Sequence, residues 1–185
     1  MTRSLVFGGA RSGKSAYAES LCASSGKPVV YVATARAGDA EMQTRIAHHR
    51  ARRDTAWMTV EEPLALGNVL RDMSAPGNVV MVDCLTVWLS NLLFCDGRIY
   101  PEIGHIDPPE HYFLERDAFL SALEQVSGEV VIVSNEVGMG IVPQGAISRW
   151  FVDEAGRLNQ AVAARCERAV WVAAGLPLVL KGPTC

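Results

Sequence analysis

The sequence has no strong excess of charge of either sign, no paired cysteine spacing and no long apolar run. Each lack removes a class of protein. Lys and Arg number 17 against 20 Asp and Glu, a formal charge of −3, so no bulk attraction draws the chain to a nucleic-acid backbone and a general polyanion binder is not expected. The five cysteines, Cys22, Cys84, Cys95, Cys166 and Cys185, are odd in number and far apart. None forms a C-x-x-C pair and no histidine stands at zinc-finger spacing, so they read as reduced thiols of a cytoplasmic protein. The longest apolar stretch, AVWVAAGLPLVL at 169–180, is interrupted by Gly175 and Pro177 and falls short of the ~18 residues that span a bilayer. The opening MTRSLVFGGARSGK lacks the apolar segment and small-residue cleavage site of a signal peptide. Internal repeats and low-complexity tracts are absent from the sequence.

What is present is ordinary for a folded chain. Hydrophobic residues make up 49% and charged residues 20%, close to the globular average. With 185 residues and ~150 for a typical domain, a single domain over 1–185 is expected. Short β-rich runs recur at Leu5 to Phe7 and at 29–34, 79–83, 130–134 and 169–174. They are continuous rather than alternating, as in strands buried on both faces of a parallel sheet. Helix-like segments fall between them at about 14–24, 39–52, 62–73, 85–94, 113–126 and 145–165, and the β-α-β-α rhythm predicts a mostly parallel sheet flanked by helices. Residues 95–111, with Pro101, Pro108 and Pro109 and two glycines, mark a surface excursion.

Directly after the first run comes GGARSGKS, comprising Gly8, Gly9, Ala10, Arg11, Ser12, Gly13, Lys14 and Ser15. It fits the phosphate-binding pattern G-x-x-x-x-G-K-S between a strand and a helix. Glycines let the backbone curl so that successive N–H groups face phosphate oxygens at the positive end of the following helix. Lys14 supplies a point charge to the β and γ phosphates, and the Ser15 hydroxyl can coordinate Mg2+. A second metal anchor is expected at the end of a buried strand. Asp83 stands there, although an aspartate at that point also suits the cap of the next helix. Ser134, Asn135 and Glu136 end another strand, as substrate or γ-phosphate contacts or as the residues of a loop turn.

The segment DAEMQTRIAHHRARR opens with Asp39 as a cap, and a helix over about 40–53 is expected. Met42, Ile46 and His49 share one stripe of it, while His48 points aside. An inward histidine is usually a hydrogen-bonded core residue. Here Arg45, Arg50, Arg52 and Arg53 surround it, an arrangement suited to holding polyphosphate near an imidazole able to attack phosphorus.

With these residues assembled, the chain resembles the bifunctional adenosylcobinamide kinase and adenosylcobinamide-phosphate guanylyltransferase family of cobalamin biosynthesis. The resemblance rests on GGARSGKS, on YVAT followed by DAEMQTRIAHHRARR, on the W-x-T-x-E-E-P of Trp57 to Pro63, on DCLTVWLSNLL at 83–93, on SNEVGMGIVP at 134–143, and on GRLNQ at 156–160. It implies a RecA-like P-loop NTPase fold and a homotrimer. It also implies phosphorylation of adenosylcobinamide with ATP or GTP, then transfer of GMP from GTP through a guanylylated histidine, His49. Further nucleotide contacts are implied from Thr34, Ala35 and Arg36, from Arg50, Ala51, Arg52 and Arg53, from Glu61, and from Asp83. Val152 departs from the family pattern, where a basic residue is expected before Asp153. The rival reading from the residues is a plain small-molecule P-loop kinase. A GTP switch is disfavoured because no N-K-x-D sequence occurs, and a nucleic-acid motor by the acidic charge.

Overall fold

The computed structural model describes residues 2–35 and 55–183. The expected helix over 40–53, with His48 and His49, lies outside the described residues, as do Arg36 and the run from Arg50 to Arg53. Seven strands form one sheet: β1 (Arg3–Gly8), β2 (Val29–Ala33), β3 (Met58–Glu61), β4 (Val79–Asp83), β5 (Glu129–Asn135), β6 (Arg168–Ala173) and β7 (Leu176–Lys181). Their order is β3-β2-β4-β5-β1-β6-β7. All neighbours pair in parallel except β7, which runs antiparallel to β6. The described helices are α1 (Lys14–Ser24), α2 (Leu66–Met73), α3 (Leu85–Phe94), α4 (Glu110–Gln125) and α5 (Ala146–Arg165).

The continuous apolar runs have a direct structural cause. Successive side chains leave a strand on opposite faces, and here both faces are covered. Leu5, Val30, Val32, Val80, Val82, Val130 and Ile132 enter one core with Leu70, Trp88, Leu89, Phe119 and Leu158. Val6, Val29, Tyr31, Val79, Met81, Val131, Val133 and Val170 enter the other with Ala18 and Cys22 of α1. A strand between two cores has no polar face, so alternation is lost from the sequence.

Two strands were not anticipated. β3 is a half-solvated edge whose Met58 and Thr59 are exposed, so it carries no apolar run. β7 lies in the second half of the apolar stretch that Gly175 and Pro177 interrupt. Ala174 and Gly175 take φ of 52° and 78°, the two left-handed residues of a tight hairpin turn, and Pro177 is tolerated because β7 is an edge. The excursion holds no helix or strand from 95 to 109. It is anchored to the body by buried Ile106, by the Tyr100 hydroxyl on Leu93 O at 2.8 Å, and by the Ala146 N–H on Glu102 O at 2.8 Å.

Candidate nucleotide-binding site

The phosphate loop joins β1 to α1 along the carboxyl edge of the parallel strands, where open α/β sheets bind ligands. Gly8 is its first residue and has no room for a side chain: a Cβ there would stand 2.2 Å from Val172 O of β6. Gly13, at φ +94°, turns the chain into α1, and its own Cβ would meet Gly175 Cα at 3.0 Å. Arg11 also takes a left-handed φ of 55°. Left-handed residues alternating with ordinary ones fold main-chain N–H groups into an anion-binding concavity, and the first N–H groups of α1, which lack intrahelical partners, add the positive end of the helix. The hairpin turn between β6 and β7 braces the loop, since the Gly175 N–H donates to Ser12 O at 2.8 Å. Nothing in the local motif announces that brace.

Lys14 is buried and its Nζ donates to Gly9 O at 3.1 Å. Desolvation lowers the ammonium pKa, opposed by the Asp83 carboxylate. A desolvated cation facing a concave array of donors gains strongly from a polyphosphate, whose charge replaces the lost hydration. The Ser12 hydroxyl, at the back of the loop, is buried without a hydrogen-bond partner among the described residues.

Asp83 ends β4, one strand away from β1 across β5. Its Oδ2 accepts the Tyr31 hydroxyl at 3.0 Å. The helix-cap alternative is not taken up, because α3 has Cys84 at its N-cap and no side-chain cap bond. Among the described residues, the Ser15 hydroxyl in the first turn of α1 makes no hydrogen bond. Hydroxyl and carboxylate oxygens are the hard donors that suit Mg2+, so Ser15 and Asp83 fit such an ion.

Thr34 is fully buried. Its hydroxyl accepts the Cys84 N–H at 2.8 Å and lies 2.9 Å from Cys84 O and 3.1 Å from Asp83 O, while Asn91 donates to Thr34 O at 2.7 Å. The side chain therefore fixes the turn that carries Asp83. Ala35 follows it, half-buried, at the same edge, and Glu61 is exposed at the end of β3, opposite Ala33. At the end of β5, Ser134 is buried, Asn135 donates to the Thr86 hydroxyl and to Cys84 Sγ, and the Glu136 carboxylate accepts the Gly138 N–H at 2.6 Å. Glu136 thus shapes a turn. Asn159 of α5 supports that strand end from below by donating to Asn135 O at 3.2 Å, a contact sequence reasoning did not find although GRLNQ contains the residue. Val152 is half-buried and would lie 3.8 Å from a Cβ on Gly138, so an apolar side chain stands beside the loop after β5.

A glycine loop between strand and helix, a buried lysine at its end and a carboxylate one strand away define a P-loop NTPase of RecA-like, mostly parallel topology. Solved structures agree on the fold. An ATPase of the type III secretion system of pathogenic bacteria matches with TM-score 0.55 at 12% identity, over 96% of this chain and 56% of that one. A protein of Pyrococcus horikoshii OT3 matches with TM-score 0.53 at 10% identity, over 99% and 87%.

Within that class the sequence relatives are specific. The profile described as cobinamide kinase / cobinamide phosphate guanyltransferase matches residues 4–180. The bifunctional adenosylcobalamin biosynthesis protein CobP of Pseudomonas aeruginosa is 53% identical over 97% of this chain and 98% of its own length. The corresponding CobU proteins of Escherichia coli and Salmonella typhimurium are 40% and 37% identical, each over 96% of this chain and 98% of their own. The chain belongs to the cobinamide kinase / cobinamide phosphate guanyltransferase family and is an enzyme of that family.

Proposed function

We propose that this single domain phosphorylates adenosylcobinamide with ATP or GTP and then transfers GMP from GTP to the product through His49, giving adenosylcobinamide-GDP. The observation that carries the reading is the match over residues 4–180 to a family described by both activities, on a chain whose β1–α1 junction is built to cradle phosphates.

In the kinase step the loop N–H groups and Lys14 hold the triphosphate and offset charge on the transferred phosphoryl, so positioning and electrostatics carry most of the catalysis. Ser15 and Asp83 would hold a Mg2+ ion, which when bound would supply further neutralisation of the triphosphate charge. Thr34 and Tyr31 keep the Asp83 carboxylate in place through the contacts already described.

In the transfer step an imidazole nitrogen of His49 attacks the α-phosphorus of GTP, forming a P–N bond as the bond to pyrophosphate breaks. An oxygen of the cobinamide phosphate then attacks the same phosphorus, releasing the imidazole. Arg36, Arg50, Arg52 and Arg53, with Ala51 between them, Ala35 and Glu61 complete the nucleotide contacts. The enzyme acts as a cytoplasmic homotrimer with no nucleic-acid partner. Among the described residues no helix is long and apolar enough to cross a membrane.

The test is incubation with GTP labelled at the α or the γ phosphate. Acid-labile, base-stable α-label on the protein, lost in His49→Ala while cobinamide phosphorylation persists, is the expected result. Phosphorylation without protein-bound α-label would leave a plain kinase, and α-label surviving in His49→Ala would move the nucleophile elsewhere.

A further inference from the structure

The carboxyl edge of the sheet carries an unusual surface beside the phosphate loop. The segment after β5, residues 136–145, presents Met139 at 78%, Ile141 at 98% and Val142 at 73% exposure, and the 95–109 excursion presents Ile99 at 93% and Ile103 at 85%. Large side chains exposed singly are ordinary, but several on adjoining loops mark a place where something apolar docks. The loops do adjoin: the Ala146 N–H, at the end of the first, donates to Glu102 O of the second at 2.8 Å. Arg149 reaches back from α5 to Pro143 O at 3.2 Å and to Gln144 O, which ties the first loop to the helix it enters.

The surface is continuous with the nucleotide site. Asn135 pairs with Gly8 in the sheet register, and the Glu136 N–H donates to Gly8 O at 3.0 Å. The loop therefore leaves the sheet at the residue where the phosphate loop begins. Whatever accepts the γ-phosphoryl must sit at this mouth. In this family the acceptor is a cobinamide, a broad corrin macrocycle rimmed with methyl groups and amide arms, too large for a cleft the size of a nucleotide. Such a ring needs a wide apolar rest, not a deep pocket.

We infer that the loops 95–109 and 136–145 together form the platform for the corrin ring, with Ile99, Ile103, Met139, Ile141 and Val142 against its methyl-bearing edge and its hydroxyl arm reaching over Gly8 toward the γ-phosphate. The inference rests on the proposed kinase activity. Both loops are solvated at these positions, so polar replacements there leave the core untouched.

The experiment compares the full-length protein with Ile141→Asn and with the Ile103→Asn/Ile141→Asn double variant. It measures steady-state phosphorylation of cobinamide, GTP affinity by titration, and mass in solution. The expected result is a KM for cobinamide raised about tenfold for the single variant and further for the double, with GTP affinity, melting temperature and mass unchanged. Cobinamide binding followed directly by its visible absorbance should weaken in parallel. An unchanged KM in variants of an active wild type overturns the platform and leaves the kinase reading standing. A change in mass without a change in KM assigns the patch to contact between copies of the chain and overturns it too. A wild-type chain inert toward cobinamide overturns the kinase reading, and this inference with it.

Discussion

Gly8 and Gly9 stand side by side in the phosphate loop, yet the structure makes opposite demands of them. A methyl on Gly8 would lie 2.2 Å from Val172 O, 0.8 Å inside the 3.0 Å that real Cβ atoms essentially never breach, and 2.8 Å from Ser12 Oγ. The first obstacle is main chain of β6, hydrogen-bonded between β1 and β7, so it cannot swing away as a side chain would. Relief requires moving a central strand or lifting the loop. Overpacking typically costs about 1–3 kcal/mol, and a backbone obstacle places Gly8→Ala at the upper end. At ~2–4 °C per kcal/mol for a chain of this size, the melting temperature should fall by about 6–12 °C. Displaced loop N–H groups should also weaken GTP binding by about tenfold or more, roughly 1.4 kcal/mol per decade. A methyl on Gly9 meets nothing within 4 Å, so Gly9→Ala should stay within about 0.5 kcal/mol of wild type. Thermal melting with and without GTP, and nucleotide titration, distinguish the pair. If the two variants melt together, or Gly8→Ala binds GTP like wild type, the close approach of β6 to the loop is not what excludes a side chain there.

Acid should expose the Arg3–Glu167 pair. The hydrogen bonds from Arg3 pull the Glu167 carboxyl from its ordinary 4.5 down to about 2. A depressed carboxylate stabilises the fold above its unfolded pKa and loses that contribution as pH falls from about 4.5 to about 2. The pair is partly solvated, so the gain is modest. Denaturant midpoints of wild type and Glu167→Gln should differ near pH 7 and draw together as pH falls from about 4.5 toward 2; a gap that stays constant across that range would discard the linkage. Thiol reactivity should be equally uneven. Burial pushes Cys22 and Cys166 up to about 12 and raises Cys84 as well, whereas Cys95 is exposed with His111 Nε2 3.0 Å from its sulfur. Mass spectrometry after brief iodoacetamide treatment at neutral pH should find Cys95 alkylated well before those three, and equal rates in native buffer would contradict the burial.

How much of this was written in the sequence depends on the range of the contacts involved. The five central strands were legible because two-sided burial forces unbroken Val, Ile and Leu runs, and the phosphate loop because its chemistry is packed into eight consecutive residues. β3 and β7 were not, since edge strands keep a wet face: Met58 is exposed, and Leu176, Leu178 and Leu180, although spaced two apart, are exposed as well, so their spacing marks no buried face. The hairpin turn was nonetheless there to be found, as Ala174–Gly175 between two β-rich runs.

The same division runs through the site. That Gly13 must be glycine follows partly from its own φ, which the motif encodes, and partly from Gly175 at 3.0 Å, which it does not. Thr34 shows the consequence most clearly. Resemblance marks it as a nucleotide contact, but its hydroxyl is spent on the main chain of Asp83 and Cys84, 49 and 50 residues away. No periodicity on β2 could reveal a partner at that distance. Thr34 therefore connects the two halves of the site through the main chain: without its hydroxyl the Asp83–Cys84 turn loses its side-chain brace, while the Asp83 carboxylate keeps the Tyr31 hydroxyl.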